Sequence, residues 1–146
     1  MAARRAGRGR GFREAQSPFA AQTVELSAIF AAYGFRCAFT GADLRREAAA
    51  DPLGALLRLS PSATPQFSSA DSFIPACADA IWAYERGHLA IGTRFEFLVA
   101  LDVLSPEFLE RLNPLGRLDL PADPAFYPNL EALATHRQAF AEGLVV

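Results

Sequence analysis

Between Phe19 and Tyr33, the apolar residues Leu26, Ile29, Phe30 and Tyr33 recur at i, i+3, i+4 and i+7, and Gly34 stands where such a helix would stop. The spacing predicts a core-packed helix. Phe35–Gly41 is a short apolar run closed by glycine, readable as a brief strand or a turn. Ala42–Ala50 has a helix-forming composition and ends near Asp51-Pro52, because the residue before proline disfavours the helical region. Leu53–Leu59 predicts a strand. Ser60–Ser72 combines serines and prolines without periodicity and predicts a long loop.

Ala76–Arg86 predicts a second major helix, with Ala80, Ile81 and Tyr84 on one side and Gly87 as its stop. Trp82 and Tyr84 are expected to pack this helix onto the hairpin, since aromatic residues at helical spacing are usually core. His88–Ile91 and Phe95–Leu101 predict a hairpin. In its second arm Phe95, Phe97, Val99 and Leu101 alternate with Glu96, Leu98 and Ala100. Pro106–Leu112 predicts a short helix with Ser105 as N-cap, broken at Asn113-Pro114. After a proline-punctuated stretch from Leu115 to Tyr127, a last helix is expected over about Asn129–Glu142. It would bring Leu130, Leu133, Arg137 and Phe140 near one face before Gly143. The pattern as a whole is α+β.

At 146 residues, the chain suits one domain burying roughly two-thirds of its unfolded surface. The expected organisation is an Arg/Gly-rich disordered arm over 1–17 and one domain over 18–146. No apolar run reaches the roughly 18 residues of a membrane-spanning helix, and no secretory signal pattern is visible, so a soluble, cytoplasmic protein without membrane partners is expected. Net charge is −2, and all fourteen basic residues are arginine, as a GC-rich coding bias would give. Five of them lie in Met1–Arg13; the remainder carries nine arginines against sixteen acids, a net of −7. The arm attracts phosphate while the body repels it. Cys37 and Cys77 lack the paired knuckles of a zinc site and read as small buried thiols.

Three segments carry a resemblance: Cys37-Ala-Phe-Thr-Gly41, Leu56-Leu-Arg-Leu-Ser-Pro61, and Ser72 through Cys77, Trp82, Tyr84, Glu85, Arg86 and Gly87 to Ile91. In order and spacing they resemble a branch of the HNH endonucleases, and with the later segments the resemblance spans about Phe19 to Phe140. It implies a ββα-metal core, a hairpin and helix gripping one divalent cation, with flanking N- and C-terminal helices and a short antiparallel hairpin. A histidine would activate water and the cation would stabilise charge on the phosphate.

In this chain Arg58 stands where the resemblance places the first histidine, Ser72 where it places asparagine and Ile81 where it places the second histidine. Arginine stays protonated and cannot act as a neutral base; isoleucine has no lone pair for a metal; serine lacks the bridging amide. The reading is therefore an HNH-like protein without catalysis and without a cofactor, binding DNA or another nucleic acid. Arg58, Arg86, Arg94 and the arm residues Arg4, Arg5, Arg8 and Arg10 are the binding candidates. Two alternatives stand beside it. One is an active nuclease whose carboxylates Asp71, Asp79 and Glu85 hold a divalent cation such as magnesium. The other is a protein-interaction module, for which the acidic body suits a basic partner. Arg58 paired with Asp79 or Glu85, and Glu85 paired with Arg86 at the helix end, are the structural expectations against these roles. His88 is expected as an exposed or hydrogen-bonded strand residue and His136 as a surface helical residue.

Overall fold

The computed structural model describes residues 25–66 and 68–144. The proposed arm and the start of the first predicted helix lie outside the described residues. Helix α1 covers Leu26–Ala32 and buries Ile29 and Phe30; Gly34, at φ 65°, takes the left-handed conformation that lets the chain leave it. The segment from Phe35 to Gly41 is a turn rather than a strand, with only an isolated bridge between Arg36 and Asp43. Helix α2, Arg45–Ala50, is shorter than its composition allows. The Asp43 carboxylate accepts from the Arg45 N–H at 2.9 Å and so fixes where the helix starts.

Only half of the predicted Leu53–Leu59 strand is extended. Leu53–Ala55 forms a 3-10 turn, and strand β1 runs from Leu56 to Arg58. Pro52 supplies a helical φ, and the Asp51 carboxylate accepts from the Gly54 N–H at 3.2 Å, which together hold the turn. Strand β2, Phe73–Pro75, pairs antiparallel with β1 in the register Leu56 to Pro75, Leu57 to Ile74 and Arg58 to Phe73. Helix α3, Ala78–Glu85, follows after two residues, so a hairpin and a helix are consecutive. Ala80, Ala83 and Tyr84 form its buried stripe. The expectation for Trp82 is corrected: it lies on the opposite stripe, 47% exposed. The small residues Ala80 and Ala83 bring α3 close to its neighbours and leave the bulky indole no room on the packed side.

Gly87, at φ 76°, ends α3 as its position predicts. Strands β3, Leu89–Ile91, and β4, Phe97–Val99, then form the second antiparallel hairpin, shorter than predicted but in the expected place. Leu101 falls outside it and is exposed. Helix α4, Pro106–Arg111, has the predicted N-cap: Ser105 Oγ accepts from the Phe108 N–H at 3.1 Å. Helix α5, Leu130–Leu144, runs through Gly143 rather than stopping before it. Its start is fixed by Asn129, whose Oδ1 accepts from the Ala132 N–H at 2.9 Å. Leu133 and Phe140 are buried as the pattern predicts, but Leu130 lies in the first turn and is exposed. Among the described residues no helix is long and apolar enough to cross a membrane.

The core is one cluster drawn from α1, both hairpins, α3 and α5. Asn113, the one buried polar residue among those described, ties its loops together. Its amide donates to Ala38 O at 2.9 Å and Arg117 O at 3.1 Å, while its backbone N–H donates to Phe39 O. The turn from Cys37 to Gly41 is thereby pressed against the end of β2, where the Ala38 N–H donates to Pro75 O at 2.9 Å.

Candidate functional site

The turn, the β1/β2 hairpin and α3 meet around the start of α3. The Cys77 N–H donates to Cys37 Sγ at 3.3 Å, and neither cysteine is in a disulfide. Hydrogen bonds from the Cys77 thiol, and then from Thr40, hold Cys37 well below the usual thiol range; the same contact and burial push Cys77 up. Cys37 is buried as predicted, whereas Cys77 is partly exposed.

Farther along α3, a recess of about 520 Å3 opens between the hairpin and the helix, lined among others by Asp51, Arg58, Thr64, Phe73, Ile81 and Glu85. Arg58 and Ile81 therefore face one space. Ser72 does not: it ends a 3-10 turn, Ala70–Ser72, just before β2. It lines a separate groove of about 600 Å3 with Leu59, Asn129 and His136. Arg58 is exposed and has no ion-pair partner among the described residues.

The carboxylates have separate surroundings. Asp79 pairs with Arg111 at 2.6 Å, an exposed contact that solvent screens. Asp71 accepts from Ser69 Oγ and, at 3.2 Å, from Asn129 Nδ2, which joins the long loop to α5. Glu85 alone of the three lines the recess. Among the described residues no three histidine, cysteine, aspartate or glutamate side chains are grouped to hold a metal. Asp79 is thus committed to Arg111 rather than to Arg58. Arg86 does not pair with Glu85: its guanidinium lies 5.1 Å from the centre of the Trp82 ring, and His88 approaches that ring at 5.4 Å. Arg94 is exposed in the second hairpin's turn, and Arg4, Arg5, Arg8 and Arg10 lie outside the described residues.

His136, expected as a surface helical residue, is placed differently by the structure. It is half-buried, its ring stacked on Tyr84 with centres 3.6 Å apart, and its Nε2 lies 2.6 Å from Tyr84 O. A carbonyl can only accept, so Nε2 carries the proton and Nδ1 keeps a lone pair. Desolvation holds the imidazole below its usual pKa despite the carbonyl contact, and burial pushes the Tyr84 phenol up. Thr64 Oγ1, Tyr84 Oη and His136 Nδ1 are buried with no hydrogen-bond partner among the described residues. The only sequence trace of this arrangement is that both aromatic residues sit on predicted helices; their meeting is tertiary.

A hairpin running directly into a helix, backed by a second hairpin and a C-terminal helix, defines a mixed α+β fold with two small antiparallel hairpins. It is similar to a solved structure described as a modification dependent TagI restriction endonuclease, with a TM-score of 0.51 and 15% sequence identity over 77% of this chain. The likeness is one of fold, and the chain spans 35% of that protein's length. No family model matches the chain, and no curated protein matches it.

Proposed function

We propose that the protein is an HNH-like nucleic-acid-binding module that does not perform metal-dependent hydrolysis. The observation that carries this reading is the sharing of one recess by Arg58 and Ile81, the positions where the resemblance calls for a general base and a metal ligand. The order of hairpin and helix supports a ββα-type core, and the similar endonuclease fold agrees with it. The residues present do not fit a divalent cation: Ile81 offers no donor atom, and Arg58 brings a fixed positive charge into the space. That charge suits a phosphate instead, because a guanidinium presents a planar fork of donors matched to phosphate oxygens. Arg58, with Arg86, Arg94 and the basic N-terminal residues, would engage the backbone without reading sequence.

Supercoiled plasmid incubated with magnesium, manganese or zinc is expected to stay intact, while fluorescence anisotropy detects duplex binding at low salt. Metal-dependent nicking that disappears in Asp79→Ala would overturn the reading in favour of a carboxylate site.

A further inference from the structure

The chain has two cysteines, 40 positions apart, and the fold brings both to one point. Cys37 sits in its turn with its N–H donating to Ala42 O and its carbonyl accepting from the Gly41 N–H, each at 2.8 Å. Cys77 is the N-cap of α3, its carbonyl accepting from the Ile81 N–H at 3.0 Å. Both backbones are thus fixed, and the bond from the Ala38 N–H to Pro75 O presses one against the other. With the Cys77 N–H donating to Cys37 Sγ at 3.3 Å, that sulfur lies within about 5 Å of the Cys77 Cα, since N–Cα spans about 1.46 Å. A disulfide needs such an approach, and the thiol–thiol hydrogen bond already turns the sulfurs toward each other.

The surroundings also favour a thiolate, the form of cysteine that reacts. Arg111, fixed by Asp79, has its pKa raised by that carboxylate first and also by charge on the two sulfurs, so its guanidinium stabilises a thiolate in return. The first proton lost by the pair comes from Cys37, whose thiolate accepts from the Cys77 thiol. Passage of the remaining proton across this contact puts the charge on Cys77, at the positive end of α3. That sulfur belongs to the partly exposed residue, whereas Cys37 is wholly buried. A reagent from solvent therefore meets Cys77, with Cys37 waiting behind it.

We infer that Cys37 and Cys77 form a reversible oxidation site for hydroperoxides, closing an internal disulfide that clamps the first hairpin. The Cys77 thiolate attacks one peroxide oxygen and the O–O bond breaks. The departing alkoxide or hydroxide takes up a proton, and Cys77 is left as a sulfenic acid. Cys37 Sγ then attacks the Cys77 sulfur, and its proton leaves with the sulfenic hydroxyl as water. Two thiols lose two electrons to one hydroperoxide, giving one disulfide, one alcohol (water, for hydrogen peroxide) and one further water. The closed loop from 37 to 77 contains α2, β1, β2 and Arg58, so oxidation restrains the hairpin that walls the recess. None of these steps depends on the nucleic-acid reading.

The test treats the reduced full chain, freed of reductant, with hydrogen peroxide, then counts free thiols under denaturing conditions and maps the peptides. Both thiols are expected to disappear together, with a mass loss of two hydrogens, a cross-linked peptide pair joining Cys37 to Cys77, no change in oligomeric size, and full reversal by dithiothreitol. The oxidised protein should melt higher, on the order of 10 °C, with slower amide exchange in β1 and β2. Cys37→Ala should stop the reaction at a Cys77 sulfenic acid that dimedone traps, and Cys77→Ala should leave Cys37 unreacted in the folded protein. Should either variant fail to fold, the parent's products decide alone. Oxidation of Cys77 with Cys37 left as a thiol, disulfide-linked dimers, or thiols that react only after unfolding would each overturn the inference. An internal disulfide that leaves both the melting point and the exchange of the hairpin unchanged would overturn the clamp.

Discussion

The two hairpins use the same three-residue antiparallel pairing to different ends. Around β3/β4 the polar groups are closed off. Arg137 donates to Ile91 O at 2.7 Å, the Gly92 N–H to Glu96 O at 2.8 Å and the Phe97 N–H to Gly116 O at 2.9 Å. Phe97 stacks on Phe39 at 5.8 Å, and α3 and α5 pack on β3, whose three residues are all buried. Around β1/β2 the core is equally dry at Leu57, Phe73 and Ile74, yet among the described residues Arg58 on the strand has no ion-pair partner and three buried polar atoms of the adjoining loop and helices have no hydrogen-bond partner. The second hairpin is arranged for stability. Groups that cost stability are gathered near the first, the pattern expected where binding sets the residues.

The largest effect should come from emptying the closed side. Leu89→Ala, at a fully buried position, is expected to lower unfolding free energy by about 3 kcal/mol, measured by urea denaturation. Little change there would break the comparison. Asn113→Ala should follow at about 2 kcal/mol, because it strips the donor from the carbonyls of Ala38 and Arg117. On the open side, His136 should make stability depend on pH. Its folded pKa is depressed, so the unfolded chain binds the extra proton first. The contribution is fully present above the unfolded value of about 6.5 and is lost as pH falls from there toward the folded pKa. Denaturation curves between pH 7.5 and 5.5 should show the decline, and His136→Gln should flatten it. The smallest effect on stability is expected at Arg58, whose exposed side chain should change it by no more than about 0.5 kcal/mol on replacement by alanine.

What was legible in the sequence is what local rules govern. The glycines at 34 and 87 ended helices because both occupy positive φ, and the Ser105 cap and the second hairpin followed from turn chemistry and alternation. Strand β2 escaped periodicity because Phe73, Ile74 and Pro75 are all buried and only three residues long, which leaves no alternation to see. Trp82 was misplaced because an aromatic residue on a helix carries no sign of which stripe packs. Of the candidate site, the resemblance brought out Arg58 and Ile81, whereas the Tyr84–His136 stack joins residues 52 positions apart and has no local signature. The double anchoring role of Asn113 was equally invisible: next to proline it reads only as a helix breaker.

The central claim is that a fixed guanidinium at the hairpin–helix junction engages the phosphate backbone without metal-dependent cleavage. It is tested most directly by the salt dependence of duplex binding for the parent and Arg58→Ala. The account predicts that the slope of log K against log salt falls by about one on substitution, the loss of one phosphate contact. An unchanged slope would contradict it.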